Sequence, residues 1–267
     1  MLSIRVERLC KTFREKGRPD LTVLDEVSFS VEAGGFVSLL GPSGSGKSVT
    51  LHIIGGLMEA NSGRISFADR DAKQYSLADV RLGFVFQTPR LLPWQTLEQN
   101  LRFVLEDGEN AEAEIARRIT DVLELMGLAD FRAYYPHQIS GGMQQRVAIA
   151  RALAARPDVI LMDEPFSHLD EITARLMRAE LISIWQRMGT TILFVTHDLA
   201  EACYLSQKIV LLTPKPTRVF AEMPVELPYP RMYGSDEIFA AERNVLRTFE
   251  AAISTGLAKQ PALIKPT

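Results

Sequence analysis

Near its start the chain carries two hydrophobic patterns that predict strands of two kinds. Apolar residues recur at every second position at Ile4 and Val6, and again from Val27 to Val31. This period of two predicts strands with one buried face. The run 36–40 (FVSLL) is apolar along most of its length, which predicts a strand buried on both faces.

Further short apolar runs predict strands at 82–86, 159–162, 191–195 and 209–212. A helical pattern over about 170–188 separates two of them. Strands that alternate with helices indicate a parallel sheet covered on both faces.

The middle of the chain, from about 96 to 155, has a helical period instead. The residues that would share one helix face are Ile115, Ile119, Val122, Leu123 and Met126. We therefore expect an α/β core with an inserted helical subdomain. The expected parts are a core of 1–87 and 156–230, a helical subdomain of 88–155, and a C-terminal helical extension of 231–267 with a helix near 237–252.

Composition and charge narrow the functional classes. The chain of 267 residues has a formal net charge of −3, so it has no global basic field that would attract nucleic acid. Cys10 and Cys203 are isolated in sequence, so no paired-cysteine metal or redox motif is visible. Two isolated thiols fit a reducing compartment better than the alternative, which is one disulfide between them. No window approaches the roughly 18–20 uncharged apolar residues that a membrane-spanning helix needs.

The segment 41–48 (GPSGSGKS) matches the phosphate-binding pattern G-x-x-x-x-G-K-[ST] at every fixed position. Its glycines let successive main-chain N–H groups point inward, Lys47 reaches the β- and γ-phosphates, and Ser48 offers a hydroxyl to Mg²⁺. A glycine-rich hairpin is the alternative, but the strand before the motif and the helix predicted after it, to about Leu57, argue against it. The predicted phosphate-binding residues are Gly41, Pro42, Ser43, Gly44, Ser45, Gly46, Lys47, Ser48 and Val49.

An acidic pair follows the predicted strand 159–162. Asp163 would stand at the carboxyl end of that strand, where parallel sheets bind their ligands, and would hold Mg²⁺. Glu164 would orient or deprotonate the attacking water. A solvated acidic pair that merely ends a strand is the alternative.

The segment 139–153 (ISGGMQQRVAIARAL) resembles the signature of the ATP-binding subunits of ABC transporters. Other P-loop proteins lack this element, and the resemblance extends to about Arg231. It implies an α/β fold with a P-loop NTPase core, a mainly parallel sheet, an N-terminal antiparallel β portion and an inserted helical subdomain. It also implies ATPase activity with ATP and Mg²⁺ as cofactors.

The same resemblance implies roles for single residues. Gln87 matches the Q-loop glutamine, which also reaches Mg²⁺, and Asp170 lies in the D-loop. His197 matches the histidine that senses the γ-phosphate, and Phe13 matches the aromatic that stacks on adenine. The residues that would contact the nucleotide of the other subunit are Ser140, Gly141, Gly142 and Gln144.

Each of these residues also has an ordinary structural alternative. Ser140 could simply cap a helix, and Gln87 could be a surface residue. His197 could cap a helix or lie in the core, and Phe13 could be a half-buried aromatic at a strand end.

Three residues depart from the family pattern. Ile139 and Met143 stand where the signature usually has leucine and glutamine, and Val49 stands where threonine is usual. Val49 removes one hydroxyl contact to the α-phosphate, so we expect weaker nucleotide binding at most.

The resemblance also implies partners. It predicts a homodimer with ATP at the interface, on the cytoplasmic face of the cell membrane as a peripheral subunit. An integral membrane permease would bind it directly, and an extracytoplasmic solute-binding protein would act indirectly, with no nucleic acid involved. The candidate permease surface is Thr88, Pro89, Arg90, Leu91, Leu92, Pro93 and Trp94, for which core packing is the alternative.

Three segments resemble the importer subunits for nitrate, sulfonate and taurine. They are 86–94 (FQTPRLLPW), 211–220 (LLTPKPTRVF) and 227–231 (LPYPR). We therefore expect an ATPase subunit that powers import of a small anionic or sulfur- or nitrogen-containing solute. The open alternatives are an exporter or lipid-trafficking subunit, an ABC ATPase that acts on DNA or the ribosome, and an inactive scaffold.

Overall fold

The computed structural model describes residues 1–106 and 111–257. Residues 258–267 of the expected C-terminal extension lie outside the described residues. The strands are β1 (Ser3–Phe13), β2 (Leu21–Val31), β3 (Phe36–Leu40), β4 (Ser62–Ala68), β5 (Gln74–Tyr75), β6 (Leu82–Val85), β7 (Val159–Asp163), β8 (Thr191–Thr196), β9 (Lys208–Leu212) and β10 (Val219–Pro224). The helices are α1 (Lys47–Ile54), α2 (Leu97–Arg102), α3 (Glu112–Leu125), α4 (Gly141–Ala154), α5 (Glu171–Met188), α6 (Leu199–Leu205) and α7 (Asp236–Leu257).

The chain divides into two compact units. The first comprises residues 1–77 together with the chain from Thr191 onward, and the second comprises Ala78–Thr190.

The first unit contains an antiparallel sheet in the order β2-β1-β4-β5. In β1, Ile4 pairs with Val31 on one side and Phe67 on the other, and all three side chains are buried. The alternating pattern of β1 therefore reflects one face packed on the core. The expected N-terminal antiparallel portion is confirmed.

The first unit also contains a parallel set of strands. β3 pairs in parallel with both β8 and β9, and β10 adds to β9 in antiparallel direction. All residues of β3 are buried, because strands cover both of its edges and side chains cover both of its faces. Phe36 packs against Phe194 of β8 with ring centroids 5.9 Å apart.

Beyond β3 the chain turns into α1, which ends at Ile54 rather than near Leu57 as the sequence predicted. Gly55 caps the helix, and Gly56 follows at φ 71. A left-handed glycine ends a helix at little cost, because it carries no Cβ.

The carboxyl-terminal part of the first unit packs as one cluster. The buried residues of this cluster are Leu40, Ala202, Cys203, Ile209, Leu211, Val225 and Val245. They come from β3, α6, β9, the segment after β10, and α7. Helix α7 therefore belongs to the core of this unit.

In its described residues the second unit holds the parallel pair β6 and β7 with the four helices α2, α3, α4 and α5. Three of them, α2, α3 and α4, lie between the two strands in sequence, which confirms the inserted helical part. The predicted apolar face of α3 is buried, from Ile115 to Met126. The helical pattern is interrupted where Gly127 adopts φ 63 and where Pro136 begins a short 3₁₀ turn.

Candidate nucleotide-binding site

The glycine-rich loop 41–48 joins β3 to α1. Gly44 and Gly46 both have left-handed backbones, with φ 76 and 85, and Gly46 is the N-cap of α1. A Cβ on Gly46 would lie 2.7 Å from Val23 Cγ1, whereas a Cβ on Gly44 would meet nothing within 4 Å. Close packing against Val23 therefore leaves no room for a side chain at Gly46, whereas the space beside Gly44 is open.

Lys47 is only 5% exposed and turns back into the loop. Its Nζ donates to the carbonyl of Gly41 at 2.9 Å and to that of Pro42 at 3.1 Å. The Ser45 hydroxyl is buried and has no hydrogen-bond partner in the described part of the chain. A buried ammonium, a buried hydroxyl without a partner in the described chain, and open space at Gly44 fit a phosphate group well, because an anion can accept from both groups.

Thr217 braces this loop from the turn after β9. Its hydroxyl donates to the carbonyl of Ser45, and its main chain exchanges hydrogen bonds with the carbonyl of Val23 and the N–H of Asp25, each at 2.9 Å. Thr217 is fully buried. Sequence reasoning did not identify this residue, although it lies in the segment 211–220 that carries the importer resemblance.

His197 lies between β8 and α6 and is exposed. The Thr196 hydroxyl donates to Glu201 Oε2 at 2.5 Å and accepts from the N–H of Asp198 at 3.0 Å. Asp198 caps α6 by accepting from the N–H of Glu201 at 3.1 Å. His197 therefore neither caps the helix nor lies in the core, and both of its neighbours are fixed.

In the second unit, Asp163 ends β7 and is 5% exposed. Glu164 is half-buried and has a positive φ of 42. Its carbonyl accepts from the Ser167 hydroxyl at 3.0 Å and from the Ser167 N–H at 3.3 Å. A left-handed backbone costs a non-glycine residue about 1–2 kcal/mol, so the chain is bent at Glu164 against local preference and held there by the following turn.

The signature segment forms the start of α4. Ser140 is its N-cap, with a hydroxyl that accepts from the N–H of Met143 at 3.3 Å. Gly141 faces open space. The amide of Gln144 donates within its own chain, to the carbonyl of Pro136 at 2.9 Å, and so braces the turn before the helix. The Ser140 hydroxyl therefore does cap the helix, as the structural alternative proposed.

The D-loop adjoins the signature within this unit. A Cβ on Gly142 would lie 3.5 Å from both Leu169 Cδ2 and Thr173 Cγ2. Asp170 caps α5 by accepting from the N–H of Thr173 at 3.0 Å. This backbone hydrogen bond lowers the pKa of Asp170, which keeps the carboxylate ionised.

Gln87 is exposed just beyond β6, and the residues around it are held by three other side chains. Gln145 donates to the carbonyl of Phe86 at 3.3 Å, and the Arg90 guanidinium lies 4.2 Å from the Phe86 ring centroid. Arg151 donates to the carbonyls of Arg90 at 3.0 Å and of Pro89 at 3.2 Å. Burial lowers the pKa of Arg151.

The rest of the segment 88–94 is shaped by Asn100, which is fully buried. Its side chain accepts from the N–H of Leu92 at 2.8 Å and donates to the carbonyls of Leu92, Gln95 and Thr96. Trp94 is 71% exposed, while Leu91 and Leu92 are half-buried. The segment is a fixed loop with an exposed aromatic tip. Neither Asn100 nor Arg151 was recognisable from the sequence, because their partners are main-chain carbonyls.

Phe13 ends β1 and is 38% exposed. The Lys11 ammonium lies over its ring, 5.2 Å from the centroid. An exposed ring near a cation is chemically suited to stacking on a nucleobase.

The chain is similar to known proteins over the stretch that contains the phosphate loop and the signature segment. Residues 24–167 match the family model described as ABC transporter. The chain is 41% identical over 249 residues to the aliphatic sulfonates import ATP-binding protein SsuB of Bacillus licheniformis, covering 93% of this chain and 94% of that protein. It is 38% identical to SsuB of Bacillus subtilis, covering 90% and 91%.

A solved structure is also similar. The dimeric post-hydrolysis state of the ATP-binding cassette MJ0796, bound to ADP and Pi, matches with a TM-score of 0.73 and 32% identity, over 84% of this chain and 100% of that chain.

Over residues 1–106 and 111–257 no helix is both long and apolar enough to cross a membrane. Over the same ranges no group of three or more His, Cys, Asp or Glu could hold a metal by itself. The phosphate loop, the signature helix and the relatives show that the chain belongs to the ABC transporter family, as an ATP-binding subunit that hydrolyses ATP.

Proposed function

We propose that this chain powers an importer for a small anionic solute of the aliphatic sulfonate, nitrate or taurine type. The observation that carries the proposal is the identity of 38–41% with SsuB proteins, which are named for import of aliphatic sulfonates. The segments 86–94, 211–220 and 227–231 support it, since they resemble the same importer group.

The phosphate loop would hold the nucleotide. Lys47 and the loop N–H groups bind the β- and γ-phosphates, and the Ser45 hydroxyl gains a partner there. Phe13 stacks on adenine. The residues proposed to contact the phosphates are Gly41, Pro42, Ser43, Gly44, Ser45, Gly46, Lys47, Ser48 and Val49.

Mg²⁺ would be held by the Ser48 hydroxyl, the Asp163 carboxylate and the Gln87 amide oxygen. These oxygen donors match the preference of Mg²⁺, and Asp163 is poised as a buried carboxylate at a strand end. When bound, the ion neutralises charge on the phosphates.

Hydrolysis would depend on Glu164 and His197. Glu164 accepts the proton of the attacking water, and it follows directly after Asp163 with a left-handed backbone. His197 contacts the γ-phosphate. Its exposure and its fixed neighbours suit a residue that must meet a ligand in one position.

Dimerisation would complete each site. Ser140, Gly141 and Gly142 of one subunit face the nucleotide of the other, with Asp170 beside them, and Gln144 braces the turn that carries Ser140. The dimeric state of the related cassette supports this arrangement. ATP then joins the subunits, and loss of the γ-phosphate lets them separate.

The permease would dock on the segment 88–94, where the fixed loop presents Trp94 to solvent. The protein would then lie on the cytoplasmic face of the membrane as a peripheral subunit, with a solute-binding protein acting from the other side.

For the domains we propose a nucleotide-binding core of 1–87 and 156–230, a helical subdomain of 88–155 and an extension of 231–267.

The catalytic half of the proposal is tested with Glu164→Gln. We expect ATPase activity to fall at least about 100-fold while ATP binding persists and dimers accumulate with ATP on size-exclusion chromatography. Glu180→Gln, on the surface of α5, is the matched control and should retain normal turnover. Unchanged turnover in Glu164→Gln would contradict the assignment.

The transport half is tested by co-purification from detergent-solubilised native membranes, followed by reconstitution in proteoliposomes. A co-purified multi-span permease whose vesicles take up an aliphatic sulfonate in an ATP-dependent way supports the proposal. Efflux instead of uptake would favour an exporter, and recovery with nucleic acid or ribosomes would overturn the transport role while leaving the ATPase intact.

A further inference from the structure

The carboxyl end of α6 is covered by two side chains from the segment 227–231. Tyr229 Oη donates to the carbonyl of Leu205 at 2.7 Å. Arg231 Nη1 donates to the carbonyls of Cys203 at 2.7 Å, Tyr204 at 3.2 Å and Ser206 at 2.8 Å. Four consecutive carbonyls at the end of the helix, which a helix leaves without internal partners, are thus satisfied from one short segment.

Arg231 is buried to an unusual degree for a cation, at 8% exposed. Its remaining donors go to the carbonyls of Val225 and Leu227, and its guanidinium stacks 4.1 Å from the ring centroid of Tyr229. In the described chain every hydrogen bond of Arg231 ends on a main-chain carbonyl. The negative end of the helix dipole compensates for the missing carboxylate.

The other end of α6 begins immediately after His197. Asp198 caps the helix, and Glu201 in its first turn accepts from the hydroxyl of Thr196, the last residue of β8. Helix α6 has only seven residues, about 10 Å, so we expect it to shift as one rigid piece. A shift at its carboxyl end would therefore move Glu201 and Asp198, and with them the main chain of His197.

We propose that Tyr229 and Arg231 act as a latch on α6 that positions His197 for ATP hydrolysis. Arg231 is then a positioning residue, and this inference rests on the proposed role of His197. It also assigns a purpose to the segment 227–231 (LPYPR), which forms no part of the nucleotide-binding motifs.

The first test is Arg231→Lys, which keeps the charge but loses the planar fork that reaches several carbonyls at once. We expect kcat to fall about ten-fold or more while the affinity for ATP changes by less than about two-fold, because the phosphate loop is untouched. Tyr229→Phe removes one hydrogen bond and should give a smaller fall in kcat. The matched control is Arg218→Lys. Arg218 forms an exposed ion pair with Asp25, and this variant should change neither kcat nor the affinity for ATP.

The movement of α6 can be followed through Cys203, which is buried beneath the latch. In a Cys10→Ser background, Arg231→Lys should speed labelling of Cys203 by a thiol reagent several-fold, and Arg218→Lys should not. If Arg231→Lys does not fold, Tyr229→Phe serves in both measurements. Unchanged kcat together with unchanged labelling would overturn the latch.

A double-mutant cycle with His197→Ala separates positioning from a general structural effect. Single-turnover rates should fall in His197→Ala, and adding Arg231→Lys should then slow the reaction by less than about two-fold. An undiminished effect of Arg231→Lys in that background would overturn this inference alone. A normal rate in His197→Ala would instead overturn the proposed role of His197, and the inference with it.

Discussion

The Thr217 hydroxyl donates a hydrogen bond to the main-chain carbonyl of Ser45, 172 positions away in the sequence. This contact joins the turn between β9 and β10 to the phosphate loop. It holds one peptide group of the loop with its carbonyl toward the protein, which favours N–H groups that face a bound anion. The hairpin of β9 and β10 therefore helps to shape the phosphate loop.

Thr217→Val tests this contact, since it replaces the hydroxyl with a methyl group of similar size. The Ser45 carbonyl would lose its buried partner, so we expect the free energy of unfolding to fall by about 1–3 kcal/mol and ATP binding to weaken. Denaturant unfolding and a nucleotide titration measure the two effects. The control is Thr12→Val, which removes an exposed hydrogen bond between the hydroxyls of Thr12 and Thr22. Its free energy of unfolding should stay within about 0.5 kcal/mol of the parent value. Equal effects of the two variants would contradict the role of Thr217.

Gly44→Ala and Gly46→Ala make a matched pair in the same loop. Both positions have positive φ, so each alanine should cost about 1–2 kcal/mol of backbone strain. In Gly46→Ala the added Cβ would also lie 2.7 Å from Val23, so the free energy of unfolding should fall further than in Gly44→Ala. Chemical denaturation of the two variants decides this, and equal losses would show that the close packing at Gly46 does not matter.

The two cysteines should differ in reactivity. Burial raises the pKa of the Cys203 thiol to about 12, while Cys10 is half-buried near the surface. At pH 8 the Cys203 thiol is therefore almost entirely protonated, and its burial keeps a thiol reagent away from it. We expect one fast-reacting thiol per folded chain and two after denaturation. Cys10→Ser should abolish the fast phase, and a persistent fast phase in that variant would contradict the burial of Cys203.

The acid stability of the second unit should depend on Glu114. The guanidinium groups of Arg118 and Arg117 hydrogen-bond to this carboxylate and lower its pKa to about 2. Because the folded pKa lies below the ordinary glutamate value of 4.5, the stabilisation is present above pH 4.5 and is lost as the pH falls toward 2.

Glu114→Gln should therefore be less stable than the parent at pH 7, and the difference should shrink below pH 4.5 and vanish near pH 2. Thermal unfolding across this pH range measures it. Glu124→Gln, exposed on the same helix, is the control. A difference that stays constant with pH would show that the ion pairs do not contribute.

The hydrophobic pattern predicted most elements correctly, because burial of a strand or a helix face imposes a local period. The run 36–40 is β3, and the stripe from Ile115 to Met126 is the buried face of α3. Element ends were less well predicted, as at α1, since its end depends on the left-handed Gly56. The sequence also predicted that glycines shape the main chain of the loop 41–48, and Gly44 and Gly46 both adopt positive φ there.

The sequence by itself therefore determined most of the strands and helices, the phosphate loop and the family, all of which depend on residues close together along the chain. Only the tertiary structure showed that Thr217 braces Ser45, that Asn100 and Arg151 shape the segment 88–94, and that Arg231 covers the end of α6. Each of these side chains binds main-chain carbonyls of a distant or irregular segment. Every residue type offers such a carbonyl, so the partner leaves no signal in the sequence, and folding alone brings the two together.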